Sequence, residues 1–231
     1  MISLQKALTS TVGKKILMSV SGLSLVLFVI VHLLGNLTLF KSDGAAFNAY
    51  AFALDNLGVI KCIAEIRLVL VFGLHIYTAL TLKVKNSSAR PVGYRKVQSK
   101  GGPSLSNPAS RNMIITGSVL LGFLILHIWQ FRFGPGVEAG YVTDVKGETA
   151  RDLHRLVVET FQNPMFAAIY TGVMFFLGMH LRHGFWSAFQ SLGAMNARLT
   201  KPVYALGLAL AAVLAVGFLL IPVWIYFGGV R

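Results

Sequence analysis

Four histidines, His32, His75, His127 and His180, each lie inside a different apolar stretch of this 231-residue chain. An ionisable side chain placed in hydrocarbon is costly, so its presence points first to function. A neutral imidazole can hydrogen-bond, relay a proton or ligate a metal. One such histidine would mean little. Four, one per stretch, raise the question of how the stretches set their depths.

The stretches are membrane-length. The chain is 55% hydrophobic and 13% charged, far from the soluble average. Its apolar residues fall in five blocks, at about 16–39, 62–82, 112–131, 165–189 and 203–227. About 20 apolar residues suffice to cross a ~30 Å hydrocarbon core. In lipid the backbone must pair within each segment, and no barrel-type alternation is present, so every span is expected to be helical. The expected fold is all-α: an integral membrane protein of five helices, the first four forming a bundle, with no room for a soluble domain. The run from Ile16 to Leu34 is too long for a signal-peptide core and no small-x-small site follows it, so it is expected to be a retained helix.

Depth along each span follows from residue number. With the N-terminus inside, the first and third helices run outward. His32 is seventeen residues past Lys15 and His127 sixteen past Arg111, placing both about 24–25 Å above the inner basic boundary. The second helix returns, and His75 is eight residues before Lys83, at about 12 Å. His180 lies in the inner half of the fourth span. Two levels result: His32 with His127 outside, His75 with His180 inside.

Two imidazoles at one level suit the axial positions of a haem iron. Two such pairs would hold two haems b stacked across the membrane, with His32, His75, His127 and His180 as iron ligands. Six-coordinate iron has no open position for oxygen, so such a site carries electrons. Facing helices of a bundle can present ligands to its core in this way. Small residues near the ligands (Gly35, Gly122, Gly172, Gly178 and Gly184) are expected to give a macrocycle access to the backbone. Taken singly, each histidine could also be an interior hydrogen-bonder or part of a proton path. His183 is read as an interfacial histidine or a support for a propionate or quinone, and His154 as exposed in an outer loop.

Other chemistries are excluded. Cys62 is the only cysteine, which rules out an internal disulfide, covalent c-type attachment, an iron–sulfur cluster and a cysteine zinc site. No phosphate-cradling glycine loop or dinucleotide fingerprint occurs. Flavin or cluster chemistry would lie on another polypeptide.

The formal charge is +13, and its distribution argues for topology rather than nucleic acid. Lys6, Lys14, Lys15, Lys83, Lys85, Arg90, Arg95, Lys96, Lys100, Arg111, Arg198 and Lys201 fall on one side of a five-span topology, without any acid. Asp43, Asp55, Glu138, Asp144, Glu148, Asp152 and Glu159 fall on the other, and Glu65 near the outer mouth of the second span. The positive-inside rule puts the N-terminus in the cytoplasm and the C-terminus outside. The basic face would attract anionic lipid, and a sharper reading adds docking of a soluble partner.

Punctuation completes the outline. Residues 1–15 form a basic, partly helical lead-in, and 40–61 a short outer loop. Residues 83–111 carry Pro91, Gly93, Gly101, Gly102, Pro103 and Pro108 and predict no packed element. After Gly134-Pro135-Gly136, the apolar spacing of Leu153, Leu156, Val157 and Phe161 suits a short helix on the outer surface. Asn163-Pro164 starts the fourth span and Pro202 the fifth, which Gly228-Gly229 closes. Trp129, Trp186 and Trp224 are expected as interfacial aromatics.

The chain resembles the membrane cytochrome b subunit of succinate dehydrogenases and fumarate reductases, of the single-chain, five-helix, two-haem type. The likeness covers essentially residues 1–231. It is carried by Gly13-Lys14-Lys15 and Ser21-Gly22-Leu23, His32-Leu33 with Asn36, Ala46-Phe47-Asn48, Glu65 ten residues before His75, His127-Ile128-Trp129, and His180 with Gly184-Phe185-Trp186-Ser187. The resemblance implies a flavoprotein subunit and an iron–sulfur subunit docked on the cytoplasmic face, the flavoprotein interconverting succinate and fumarate. This anchor would pass electrons through its haems to quinone in the cell (inner) membrane. The family's axial pairing joins the first and third ligand helices, and the second and fourth. Some members carry a glutamate two residues before the fourth ligand, linked to proton movement. Here Gly178 stands in its place, which puts that route in doubt. His183 stands where other members have asparagine.

Quinone chemistry needs a proton-exchanging group that can hydrogen-bond a carbonyl oxygen. Asp55 and Glu65 are the outer candidates, with loop solvation or helix capping as the alternative. Haem propionates need cationic partners: Arg111 and Arg182 for the inner haem, Arg132 for the outer, although boundary arginines also snorkel. Two competing readings remain. One is a di-haem cytochrome b serving a hydrogenase or formate dehydrogenase; the other is a haem-free proton-conducting transporter with histidine relays.

Overall fold

A computed structural model describes residues 4–41, 43–89 and 112–229. Arg111 and the glycine- and proline-rich stretch from Pro91 to Pro108 lie outside the described residues. The chain is mainly helical: α1 (Leu4–Thr9), α2 (Thr11–Asn36), α3 (Ala45–Asp55), α4 (Val59–Ser88), α5 (Met113–His127), α6 (Leu153–Gln162), α7 (Pro164–Ser191) and α8 (Thr200–Tyr226). A 3-10 turn, Leu37–Phe40, extends α2, and a π turn, Ile128–Arg132, extends α5.

Four helical segments are long and apolar enough to cross a membrane: Thr11–Phe40, Met113–Arg132, Pro164–Ser191 and Thr200–Tyr226. That is the make-up of a multi-pass membrane protein. Helix α4 has the length, 30 residues, but carries Lys61, Glu65 and Arg67 near one end and Lys83 and Lys85 near the other, and is not among those four. Large apolar side chains are exposed along the long helices, Leu27, Val31, Val69, Ile125, Phe175 and Val213 among them. Lipid-facing surface has this character, because hydrocarbon gives no reason to hide them.

Capping is local and legible. Ser10 Oγ accepts from Gly13 N at 3.0 Å to start α2. Asn163 Oδ1 accepts from Met165 N at 2.9 Å, with Pro164 at the first helical position of α7. At the other end of α8, Gly228 N and Gly229 N donate to the carbonyls of Ile225 and Trp224 at 3.0 Å each. Asp152 caps α6 by accepting from Arg155 N at 2.9 Å.

Helix α7 is the hub: it packs against α8, α2 and α5, while α2 also packs against α4. Neither α2 with α5 nor α4 with α7 forms one of the closely packed pairs. Glycines set the close approaches. A Cβ at Gly178 would lie 3.1 Å from Ala215 Cβ, and one at Gly207 would lie 3.0 Å from Phe185 Cδ1. Gly178 therefore serves the α7–α8 contact, and Gly35 packs on the Tyr50 ring.

At the end of the bundle opposite the basic N-terminus, three elements form a cap. The segment expected as an outer loop, 40–61, contains α3. A β-hairpin pairs β1 (Val142–Val145) with β2 (Glu148–Arg151), Val142 opposite Arg151, a small addition to an otherwise helical fold. Its turn residues Lys146 and Gly147 have φ of 59° and 84°, the left-handed pair a two-residue hairpin turn needs. Helix α6 follows. It does not lie loose on a surface: Leu156, Val157, Val158 and Phe161 are buried against α3, α7 and α8. Asn48, itself buried, ties the cap together, donating to Asp152 Oδ1 at 2.8 Å and accepting from His154 N at 2.9 Å. Arg151 donates to the carbonyls of Phe131 (2.9 Å), Gly134 (3.1 Å) and Pro135 (2.9 Å), joining β2 to the end of α5.

One expectation is corrected here: His154 is buried, 8% exposed, with its ring against Gly44, whose φ of 67° and missing Cβ admit the imidazole. Trp186 is enclosed by protein, 5% exposed and stacked on Tyr204 of α8, whereas Trp129 and Trp224 are exposed. Both buried rings sit where an adjoining helix or loop closes over them, a contact that span position cannot report.

Candidate functional site

The four histidines meet in two pairs. His32 on α2 and His127 on α5 have ring centroids 5.7 Å apart with planes at 86°. His75 on α4 and His180 on α7 have centroids 6.3 Å apart with planes at 69°. These are the pairs expected from depth. Each joins two helices outside the closely packed pairs, and all four rings are half-buried.

The His75–His180 pair is held by hydroxyls. Ser21 Oγ lies 3.3 Å from His75 Nδ1 and donates its own proton to the Leu17 carbonyl at 2.8 Å. Thr116 Oγ1 lies 3.1 Å from His180 Nδ1 and donates to the Met113 carbonyl at 3.1 Å. An imidazole donating from Nδ1 to such an oxygen would keep its Nε2 lone pair free for a metal, the arrangement typical of ligating histidines. The residue after each hydroxyl is glycine. A Cβ at Gly22 would lie 3.2 Å from His75 Cε1, and one at Gly117 would lie 3.4 Å from His180 Cε1. Ser21-Gly22 and Thr116-Gly117 are thus the same device used twice. Of these, only Ser21-Gly22 was singled out in the sequence; Thr116-Gly117 gives no signal until its facing ring is known.

The His32–His127 pair is caged by aromatic rings. Phe28 stacks on His32 at 5.4 Å and 15°, and Phe218 of α8 lies 5.7 Å from it. Phe123 and Phe131 flank His127 at 5.6 and 5.3 Å, with Tyr170 at 6.1 Å. Tyr170 Oη donates to Gln130 Oε1 at 2.6 Å. Asn36 Nδ2 is 3.5 Å from both ring nitrogens of His32 and donates to the His32 carbonyl at 2.7 Å. Buried His127 Nδ1 has no hydrogen-bond partner.

Several residues are compatible with a bis-imidazole metal group. A metal–imidazole bond is about 2 Å, so two rings trans across one metal have centres about 6 Å apart. Rings sharing that axis can take any dihedral. Among the described residues no group of three His, Cys, Asp or Glu side chains converges as a metal site. Two imidazoles alone fit a metal that brings its own equatorial ligands. Cβ atoms at Gly122, Gly172 and Gly184 would meet nothing within 4 Å, so bulk there is not limited by protein.

The remaining candidates divide by end. Asp55, Lys61, Glu65 and Arg132 form one ionic chain near the cap. Lys61 Nζ is 2.6 Å from Asp55 Oδ1 and 3.8 Å from Glu65 Oε1, and Arg132 donates to both Glu65 oxygens at 3.2 Å each. Glu65 and Asp55 are therefore brought together through Lys61, and Arg132 is engaged with Glu65. At the basic end, Arg182 is exposed, and Arg111 lies outside the described residues. His183 and Trp186 stand edge to face, with centroids 5.3 Å apart and planes at 84°. Their buried Nδ1 and Nε1 atoms have no hydrogen-bond partner.

No protein-family model, curated protein or solved structure matches the chain.

Proposed function

We propose that the chain is the di-haem b membrane anchor of a succinate:quinone oxidoreductase, transferring electrons between an iron–sulfur subunit and membrane quinone. The observation that carries this reading is the meeting of His32 with His127 and of His75 with His180, each across helices outside the closely packed pairs. His32 and His127 would hold one haem, His75 and His180 the other. When bound, the groups supply one-electron transfer without an open coordination position. The chain's own part is to fix the imidazoles, exclude water with aromatic and apolar side chains, and set proton exchange at the quinone.

Helix α4 is taken as the fifth span, with its charged ends at the two interfaces. The basic end, with Lys6, Lys14, Lys15, Lys83 and Lys85, is placed in the cytoplasm, the C-terminus outside and the whole in the cell (inner) membrane. The flavoprotein and iron–sulfur subunits would dock on the basic face, which contacts lipid headgroups and not nucleic acid. Glu65 is the group proposed to exchange a proton with quinone. Its carboxylate lies in the Lys61–Arg132 chain at the cap end, where a small movement of Arg132 would free one oxygen. Asp55, more exposed and bound to Lys61, would feed that chain from solvent.

The test is a reduced-minus-oxidised absorption spectrum of the purified protein, followed by co-purification. A b-type α-band, a haem content of two per chain and a co-purifying flavoprotein with succinate-linked dye reduction are expected. A colourless preparation sinks the reading in favour of histidines acting as proton relays. A haem-bearing preparation with a different dehydrogenase redirects the partner alone.

A further inference from the structure

We propose that Trp186 and His183 bind the carboxylate arms of the porphyrin held by His75 and His180; this rests on the di-haem reading above. Helix α7 presents His180, His183 and Trp186 at successive three-residue steps toward the basic end. Each is next to the one before it on the helix surface, about 60° round, so His183 stands between the other two. The Trp186 indole is locked: it stacks on Tyr204 at 4.7 Å and 22°, and the adjacent Phe185 fills the space that the missing Cβ of Gly207 leaves. His183 meets it in an edge-to-face contact. Yet indole Nε1 and imidazole Nδ1 are both buried and without a partner.

An indole N–H can only donate. Two unpartnered nitrogens on adjoining rings call for an acceptor, and a carboxylate, acceptor on both oxygens, is the strongest. None of the chain's acidic residues can supply it, since all eight lie on the cap side. A b-type porphyrin carries two carboxylates on one edge. Held at the His180 level with that edge toward the basic end, it would bring them one to two turns along α7, level with His183 and Trp186. Arg182, the sequence candidate for this role, is exposed and two residues from His180, which turns it to the far side of the helix.

The test uses the purified, haem-loaded protein with three variants. Trp186→Phe keeps an aromatic stack and removes the N–H. His183→Leu removes the ring nitrogens, and His183→Gln restores a donor. Redox titration resolved into two components, and the propionate bending modes in the resonance Raman spectrum, are read for each. Loss of a donor leaves more negative charge near the iron. Trp186→Phe and His183→Leu are therefore expected to lower the midpoint of one component, the one His75→Ala removes, and to move its propionate mode, with the other unmoved. His183→Gln should recover part of the shift. Unchanged midpoints and modes overturn the proposal. So does movement of the component that His32→Ala removes, or a fall in quinone turnover with both midpoints fixed, which would assign the two nitrogens to quinone. Should Trp186→Phe not accumulate, equality of His183→Leu and His183→Gln with the unmodified protein overturns it. An unmodified protein without haem defeats the di-haem reading itself and is told apart on that ground.

Discussion

Thr116 gives its hydroxyl proton to the carbonyl of Met113 and turns its oxygen to Nδ1 of His180, 3.1 Å away. Ser21 does the same for His75 from the opposite side of the bundle. Each imidazole of the pair thus has one hydroxyl oxygen beside its Nδ1 atom.

Thr116→Val keeps the volume and removes the acceptor. Outer-shell partners of this kind are worth about 10–100-fold in metal affinity. Haem titration of the haem-depleted protein is expected to show a loss of that size for one of two sites, with Thr116→Ser close to the unmodified protein. Equal affinities in Thr116→Val would deny the hydroxyl a role in holding the ligand.

The pairing predicts a block pattern. His75→Ala or His180→Ala should remove one spectral component, and His32→Ala or His127→Ala the other. Low-temperature difference spectra check this. A component lost jointly by His32→Ala and His75→Ala would contradict the contacts seen between the rings. Gly117→Val should act as His180→Ala does, because a branched side chain has no room where a Cβ alone would come within 3.4 Å of the imidazole.

Glu65 is half-exposed and doubly bonded by Arg132. Glu65→Gln preserves shape and removes proton exchange, so quinone turnover is expected to fall by roughly 100-fold, the scale of general acid–base contributions, with both haem components retained. Comparison of quinone with dye as acceptor measures it. Lys61→Met should alter stability by less than about 1 kcal/mol, since exposed ion pairs contribute little.

His154 links the cap to pH. Burial holds its pKa below the ordinary 6.5, against the opposing pull of Asp152 and Asp43. A histidine depressed in the folded state stabilises fully above its unfolded value, and that contribution is lost as pH falls from about 6.5 toward the folded value. Amide protection across 142–162, taken relative to the intrinsic exchange rate at each pH, is therefore expected to fall as pH drops through this window. In His154→Phe this loss of protection should disappear. A cap equally protected at pH 7.5 and 5.5 would count against it.

Asn48→Ala leaves Asp152 without its side-chain donor and the buried His154 N–H without its acceptor. An unmet buried polar group costs about 1–3 kcal/mol. The cap should loosen by that amount, seen as faster proteolysis between α3 and α6, while the spectrum of the His75–His180 component stays unchanged.

What the sequence determined by itself was one-dimensional. A helix crossing a membrane turns residue number into depth, so the apolar blocks, the pairing of the histidines and the helix ends at Asn163 and Gly228 could be read directly. The tertiary structure decided facing and cover. Which side of α5 carries Thr116-Gly117, that Trp186 lies under Tyr204, and that His154 is enclosed by Gly44 all depend on helix rotation and cross-chain contact. The cap shows the limit most plainly. Its hairpin is two four-residue strands stabilised by Arg151 reaching back to the end of α5. A contact of that range leaves no periodic trace along the chain.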